Sequence, residues 1–189
     1  MDRLEEYARE NKIPIMQKDG ILFLIDYIKK HNVKTILEIG SAIGYSAINM
    51  ALVDKNIKVT TIERDEIRYN EAIKNIKSFN LENQIDVILG DALETNIEGE
   101  YDLIFIDAAK AQYIKFFEKY KENLKKDGTI VSDNLDFHGL TKEDVVIKNK
   151  NLRQLVTKIN KYKDFLKQNN EFNTIFLEVG DGIGISKRK

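Results

Sequence analysis

Two acidic residues and an amide stand immediately after two β-type runs. Asp107 closes Tyr101-Asp102-Leu103-Ile104-Phe105-Ile106, and Asp133-Asn134 closes Thr129-Ile130-Val131-Ser132. If these runs are neighbouring parallel strands, Asp107, Asp133 and Asn134 meet at one sheet edge as hard oxygen ligands of the kind taken by Mg²⁺, Mn²⁺ or Ca²⁺. Two acids and an amide leave coordination positions for water or substrate oxygens, and a cation held this way lowers the pKa of a hydroxyl and fixes its orientation. The same residue types also have plainer uses: Asp133-Asn134 as an Asx turn, and Asp107 as a helix cap. Lys110, three residues beyond Asp107, reaches the same place as a general base, as a cation orienting an anionic oxygen, or as an ordinary solvated lysine. His138 follows close enough to line such a pocket without being read as a metal ligand, and His31 ends a polar helix and is expected to face solvent.

A second group of residues points to a nucleotide-like ligand. Glu38-Ile39-Gly40-Ser41-Ala42-Ile43-Gly44-Tyr45-Ser46 follows a β-type run, and its two glycines free the backbone to turn tightly and approach a ligand before a helix begins. The spacing departs from the dinucleotide fingerprint G-x-G-x-x-G, because Ala42 and Tyr45 occupy its second and third glycine positions, which weakens a pyrophosphate or dehydrogenase reading. Glu63, directly after the next strand, can accept hydrogen bonds from both hydroxyls of a ribose. Asp91 and Ala92 follow the third strand in the same way. Singly, each acid reads as a solvated loop residue, but in register at successive strand ends they favour an adenosine pocket.

The elements that must position these residues follow from periodicity. Amphipathic helices are expected at about 2–10 and 18–30, separated across Pro14, and strands at 35–39, 58–62, 85–89, 101–106 and 129–132. Several strands are apolar on both faces, as in the interior of a parallel sheet, and the helical stretches near 45–53, 64–80 and 113–124 are long enough for right-handed crossovers. A basic helix at about 149–169 precedes two more strands, 174–179 and 183–186, flanking the turn Gly180-Asp181-Gly182. The predicted fold is α/β: a doubly wound, seven-stranded, mostly parallel sheet with an antiparallel carboxy-terminal hairpin, in which ligands lie beyond the carboxyl ends of the parallel strands. One domain over 1–189 is expected, with the helices of 1–31 covering the site.

Composition narrows the classes. Lysine plus arginine (30) nearly balances aspartate plus glutamate (31), so net charge nominates neither nucleic acid nor membrane. There is no cysteine, which removes disulfides, thiolate metal sites and cysteine nucleophiles. The charged start Met1-Asp2-Arg3-Leu4-Glu5-Glu6 and the lack of a long apolar run indicate no leader and no membrane span, with the cytoplasm as default location. Local charge is more telling. Lys148, Lys150, Arg153, Lys158, Lys161 and Lys163 cluster on the basic helix with Tyr162 as a possible aromatic contact, which suits RNA, although Glu143, Asp144 and Asp164 lie nearby and a solvated helix face has the same composition.

Taken together, Leu37 to Ser46, Ile62-Glu63-Arg64, Gly90-Asp91-Ala92, Phe105 to Lys110, Ser132-Asp133-Asn134 and Gly180 to Ile183 resemble the metal-dependent class I O-methyltransferases, the family of caffeoyl-CoA and catechol O-methyltransferases. Within it, Lys12-Ile13-Pro14-Ile15-Met16, Ile43 to Ile48 and Asp107 to Tyr113 are similar to bacterial tRNA 5-hydroxyuridine methyltransferases. The resemblance implies S-adenosylmethionine bound by Met16, Glu38, Gly40, Ser46, Glu63, Asp91, Ala92 and Asp107. It also implies Mg²⁺ or another hard divalent cation on Asp107, Asp133 and Asn134, Lys110 and Asp107 at the acceptor oxygen, and a homodimer. The implied acceptor is the 5-hydroxyl of 5-hydroxyuridine in the anticodon wobble position of tRNA. A small catechol or phenol is the other acceptor open at this point, and a tRNA-binding protein with a vestigial donor pocket is the reading without catalysis.

Overall fold

The computed structural model describes residues 1–136, 139–141, 145 and 147–189, so His138, Glu143 and Asp144 lie outside the described residues. Seven strands form one sheet in the order β3-β2-β1-β4-β5-β7-β6: β1 Thr35–Ile39, β2 Lys58–Glu63, β3 Ile85–Leu89, β4 Tyr101–Ile106, β5 Leu124–Ser132, β6 Phe172–Leu177 and β7 Ile183–Arg188. The first five are parallel, and β7 runs antiparallel between β5 and β6. The order reverses direction from β1, so β2 and β3 lie on one side and β4 and β5 on the other. That is the switch point at which open α/β sheets bind ligands.

Strand alternation divides the core in two. Ile36, Val59, Leu103, Phe105 and Val131 pack on one face with the helices α1 (Asp2–Glu10), α2 (Lys18–Lys30) and α3 (Tyr45–Ala51) and with Ile76 of α4 (Glu66–Ser78). Leu37, Ile39, Ile62, Ile104, Ile106 and Ile130 pack on the other with α5 (Tyr113–Tyr120) and α6 (Lys150–Gln168). A period of two sends successive side chains to opposite faces, and both faces are covered, which is why these strands read as unbroken apolar runs.

The boundaries differ from expectation where side chains intervene. Helix α4 starts later than its periodicity because Asp65 caps it, its carboxylate accepting from Arg68 N at 3.0 Å. Helix α5 stops at Tyr120 and passes through a 3₁₀ turn into β5, while Asn123 Nδ2 donates to the carbonyls of Ile97 and Gly99, both at 3.0 Å. Strand β5 begins at Leu124, five residues before the apolar run. The pairing jumps from Tyr101↔Leu124 to Leu103↔Thr129, so Lys125-Lys126-Asp127-Gly128 bulges out of the ladder. Strand β6 starts early because the Asn169 side chain accepts from the backbone N–H groups of Glu171 and Phe172, turning the chain out of α6.

Candidate active site

The strand tips on either side of the switch point open into a cavity of about 730 Å³, within the range of small-molecule and cofactor sites. Its floor begins at Gly40, whose φ is +97° and where an added Cβ would lie 2.3 Å from the Asp107 carbonyl oxygen. Only glycine lets the ends of β1 and β4 approach this closely. The loop continues with Ala42 at φ 45° and Gly44 at φ 81°. Ala42 therefore sits in a left-handed conformation at the position where the dinucleotide fingerprint has glycine, and its N–H donates to Glu63 Oε2 at 2.8 Å. Glu63 accepts a second backbone bond on Oε1 from Asp65 N at 2.9 Å, leaving a lone pair on each oxygen for hydroxyl donors. Asp91 is braced by Leu93 N donating to its Oδ1 at 2.8 Å.

Met16, Gly40, Ser46, Glu63, Asp91, Ala92 and Asp107 all line the cavity. Glu38 does not. It is fully buried behind the loop, where its two oxygens accept from the hydroxyls of Ser46 and Thr61. Its strand position explains this: Glu38 faces α3, beside Ile36, and reaches the ligand side only through Ser46. Burial, partly relieved by the two hydroxyls, pushes its carboxyl up to about 7. In the unfolded chain it titrates at the ordinary value near 4.5, so across that interval the unfolded state loses a proton that the folded state keeps. Stability is full below the interval and is lost across it. The melting temperature is expected to fall by several degrees from about pH 5 to about pH 8 and to fall less in Glu38→Gln. Equal slopes in a thermal-shift series would show that Glu38 is not the source.

Beyond the tips of β4 and β5, Asp133 N donates to the Ile106 carbonyl at 3.1 Å, which sets Asp133 beside Asp107. Asp133 is 1% exposed, and burial, then the Asp107 charge, raise its carboxyl above the ordinary carboxylate range. Its Oδ2 accepts from Asn134 Nδ2 at 2.8 Å, and Asn134 itself lines the cavity. Asn134 holds φ at 61°, in the left-handed region that asparagine tolerates better than most residues. Among the described residues no three histidine or acidic side chains gather as a metal cluster; the candidate set has two acids and takes its third oxygen from an amide.

Lys110 is largely buried and donates from Nζ to Asp107 Oδ1 at 3.3 Å and to Tyr113 Oη at 2.7 Å. Burial and the neighbouring Asp107 and Asp133 charges hold the Tyr113 hydroxyl well above its usual pKa, so it stays neutral.

Several cavity residues were not read as site residues from the sequence. Pro14, Ile15 and Gln17 of the α1–α2 connector form part of the wall on either side of the expected Met16, and Tyr45 joins them while donating to Glu5 Oε1 at 2.8 Å. The cover over the site is thus mainly the connector, with α1 tied on through Glu5. Asp181 also lines the cavity, because the turn after β6 docks on the chain beyond Asn134: Leu135 N donates to Gly182 O at 2.9 Å, and a Cβ on Gly182 would meet Asp136 N at 2.6 Å. Glycines around Asp181 signalled a turn, but nothing local signalled where it docks.

The basic helix is divided by its own rotation. Lys158 and Leu155 line the cavity, and Lys150 and Lys161 are exposed along the same flank. Lys163 lies on the other flank, its Nζ 6.0 Å from the centre of the Phe176 ring. Tyr162, expected as an aromatic RNA contact, belongs to the core: it is 1% exposed on the inner face of α6, and its hydroxyl shares a 2.7 Å hydrogen bond with Ser132. His31 is exposed as expected, although its ring packs on Tyr27 with centroids 4.2 Å apart. No described helix is long and apolar enough to cross a membrane.

The glycine turn, Glu63 and Asp107 line one cavity at the switch point of a doubly wound α/β sheet, while the buried Asp133 lies outside that lining. The chain belongs to the O-methyltransferase family, whose model matches residues 1–189. It is 31% identical to caffeoyl-CoA O-methyltransferase of Stellaria longipes, over 82% of this chain and 68% of that one. It is also 31% identical to tapetum-specific methyltransferase 1 of Arabidopsis thaliana, over 90% and 76%. Among solved structures, a Staphylococcus aureus protein provisionally described as a caffeoyl-CoA O-methyltransferase superposes with a TM-score of 0.95 at 40% identity, covering 100% of this chain and 91% of that one. The Bacillus cereus O-methyltransferase solved with S-adenosylhomocysteine gives a TM-score of 0.84 at 23% identity, over 100% and 90%, a likeness of fold.

Proposed function

We propose that this chain transfers the methyl group of S-adenosylmethionine to a hydroxyl oxygen with the help of a divalent cation, and that the acceptor is the 5-hydroxyl of wobble 5-hydroxyuridine in tRNA, giving 5-methoxyuridine. One observation carries the reading. Among the described residues, two buried side-chain polar atoms have no hydrogen-bond partner, Ser41 Oγ and Asp133 Oδ1, and both belong to the tips of this site. Buried polar atoms are rarely left unpaired, and here one fits a donor-side ligand at the glycine loop while the other fits a cation.

Asp107, Asp133 and Asn134 would hold Mg²⁺ or a similar hard ion, since all three offer oxygen. When bound, the cation lowers the pKa of the acceptor hydroxyl, and the sulfonium supplies a methyl group poised for in-line displacement. The chain's own contribution is placement. Glu63 takes the ribose hydroxyls, the Gly40–Gly44 loop lets backbone approach the donor, and Lys110 directs its charge at the acceptor oxygen. The vicinal 5-hydroxyl and 4-carbonyl oxygens of 5-hydroxyuridine offer the paired-oxygen geometry of a catechol. Support for an RNA acceptor comes from the flank of Lys150, Lys158 and Lys161 running to the cavity mouth, with Arg64 and Arg68 lining its other side.

Labelled donor offered with Mg²⁺ and either 5-hydroxyuridine-containing tRNA or simple catechols tests this directly. Transfer to the tRNA, abolished by chelator, is expected; transfer to catechols alone would overturn the acceptor, and NAD binding without S-adenosylmethionine binding would overturn the donor.

Donor affinity has a support of its own. Lys119 Nζ donates to the carbonyls of Ala92 at 3.0 Å, Leu93 at 2.8 Å and Thr95 at 2.7 Å, and Tyr120 Oη donates to Ala92 O at 2.6 Å. One ammonium thus folds the Asp91-Ala92 loop against the cavity. Hydrogen bonds from a charged group contribute about 1.5–3 kcal/mol each, so Lys119→Met is expected to weaken donor binding about tenfold, read by calorimetry, with the acceptor KM unmoved. An unchanged donor Kd would refute this role.

A further inference from the structure

Lys110 is the cation nearest the acceptor side, but a lysine has four rotatable bonds and no preferred aim of its own. Something must hold it. Its Nζ lies 3.3 Å from Asp107 Oδ1, a long contact for an ion pair, and 2.7 Å from Tyr113 Oη, which is the shorter and better-formed bond. The Tyr113 hydroxyl in turn donates to the Asp133 carbonyl oxygen at 3.2 Å. The phenol is therefore an acceptor toward Lys110 and a donor toward the strand tip that bears Asp133. The ring cannot drift: Tyr113 is 1% exposed, Tyr162 meets it edge-on with centroids 5.2 Å apart at 83°, and Lys110 Nζ sits 4.9 Å from its ring centre. Tyr162 is pinned by its hydrogen bond to Ser132, the last residue of β5.

We infer that Tyr113 is a positioning residue that aims the Lys110 ammonium at the acceptor oxygen and fixes its distance from Asp133. The chain from Ser132 through Tyr162 and Tyr113 to Lys110 starts and ends at the same strand tips, so the lysine on the 3₁₀ turn after β4 is placed in register with the acids it serves. This rests on the proposal that Lys110 meets the acceptor. Tyr113 touches neither ligand and acts through Lys110.

The test is a double-substitution cycle on the full chain, with Tyr113→Phe, Lys110→Ala and both together, read as the single-turnover rate of methyl transfer to 5-hydroxyuridine-containing tRNA, the donor Kd and the melting temperature. Tyr113→Phe is expected to lower the rate about tenfold with donor Kd within about twofold, and to cost less than about twofold once Lys110 is alanine. A side chain with only a packing role would impose the same penalty in both backgrounds, and that result overturns the inference. So does a normal rate in Tyr113→Phe beside an impaired Lys110→Ala. An unchanged rate in Lys110→Ala removes the lysine from the reaction and the inference with it. If the phenylalanine variant fails to fold, p-aminophenylalanine at position 113 keeps the ring and the donor to Asp133 O but accepts poorly from an ammonium; its rate is expected to fall likewise, and a wild-type rate overturns the proposal.

Discussion

Replacing Asp133 with asparagine is expected to lower metal-dependent turnover by about 10³-fold while leaving donor affinity and the cooperative melt close to those of the parent chain. The change keeps the shape of the side chain and removes its charge. Asp133 is the least exposed of the three proposed cation ligands, and its Oδ1 is buried without a protein partner. A carboxylate so placed is held against its own desolvation and against Asp107, which raises its carboxyl above the ordinary carboxylate range. Removing the charge relieves that opposition, so the folded protein need not suffer; the loss falls on the cation and on transition-state stabilisation of several kcal/mol. Equilibrium dialysis against Mn²⁺ together with turnover measured across metal concentrations separates the two. Full activity in the variant, still abolished by chelator, would assign the cation to other residues.

Lys110→Ala is expected to reduce the single-turnover rate about 100-fold, within the range for loss of a positioned acid–base or charge-stabilising group, with donor Kd nearly unchanged. In the proposed reading Lys110 serves the acceptor, whereas the donor is taken by other cavity residues, Gly40, Ser41, Ala42, Glu63 and Asp91. Its loss also removes the Lys110–Asp107 ion pair and leaves the Tyr113 hydroxyl without the donor it accepts from. A drop in donor affinity equal to the drop in rate would place Lys110 in donor binding instead. Lys110→Arg is not a conservative rescue, because a planar guanidinium cannot occupy the space of a compact ammonium between Asp107 and Tyr113.

Much of this architecture was legible in the residues. Strands β1, β3 and β4 and helices α1 and α2 fall where their periodicity puts them, because apolar alternation there is bounded by polar turns and by Pro14. The acids and amide at the strand tips could be paired in advance, since parallel neighbours place successive tips side by side. The misjudged features depend on contacts between distant segments. Leu124 reads as the end of a helical stretch, with the strand starting only at Thr129, until Leu124 is seen to pair with Tyr101. Glu38 looks like a ligand contact until the parity of β1 turns it toward Ser46 and Thr61. Tyr162 looks like part of a basic surface until the rotation of α6 sends it into the core. Asp181 enters the site through docking of a turn, which sequence spacing does not encode.

The place of β7 between β5 and β6 has a consequence for how the molecule is made. The strand that leads to Asp133 gains its outer neighbour only from residues 183–188, far later in the chain, and β6 has no sheet to join before β7 is present. During synthesis the nascent polypeptide must therefore leave one margin of β5 unpaired until β7 has emerged. A polypeptide lacking residues 183–188 would carry an exposed, adhesive border beside the candidate site.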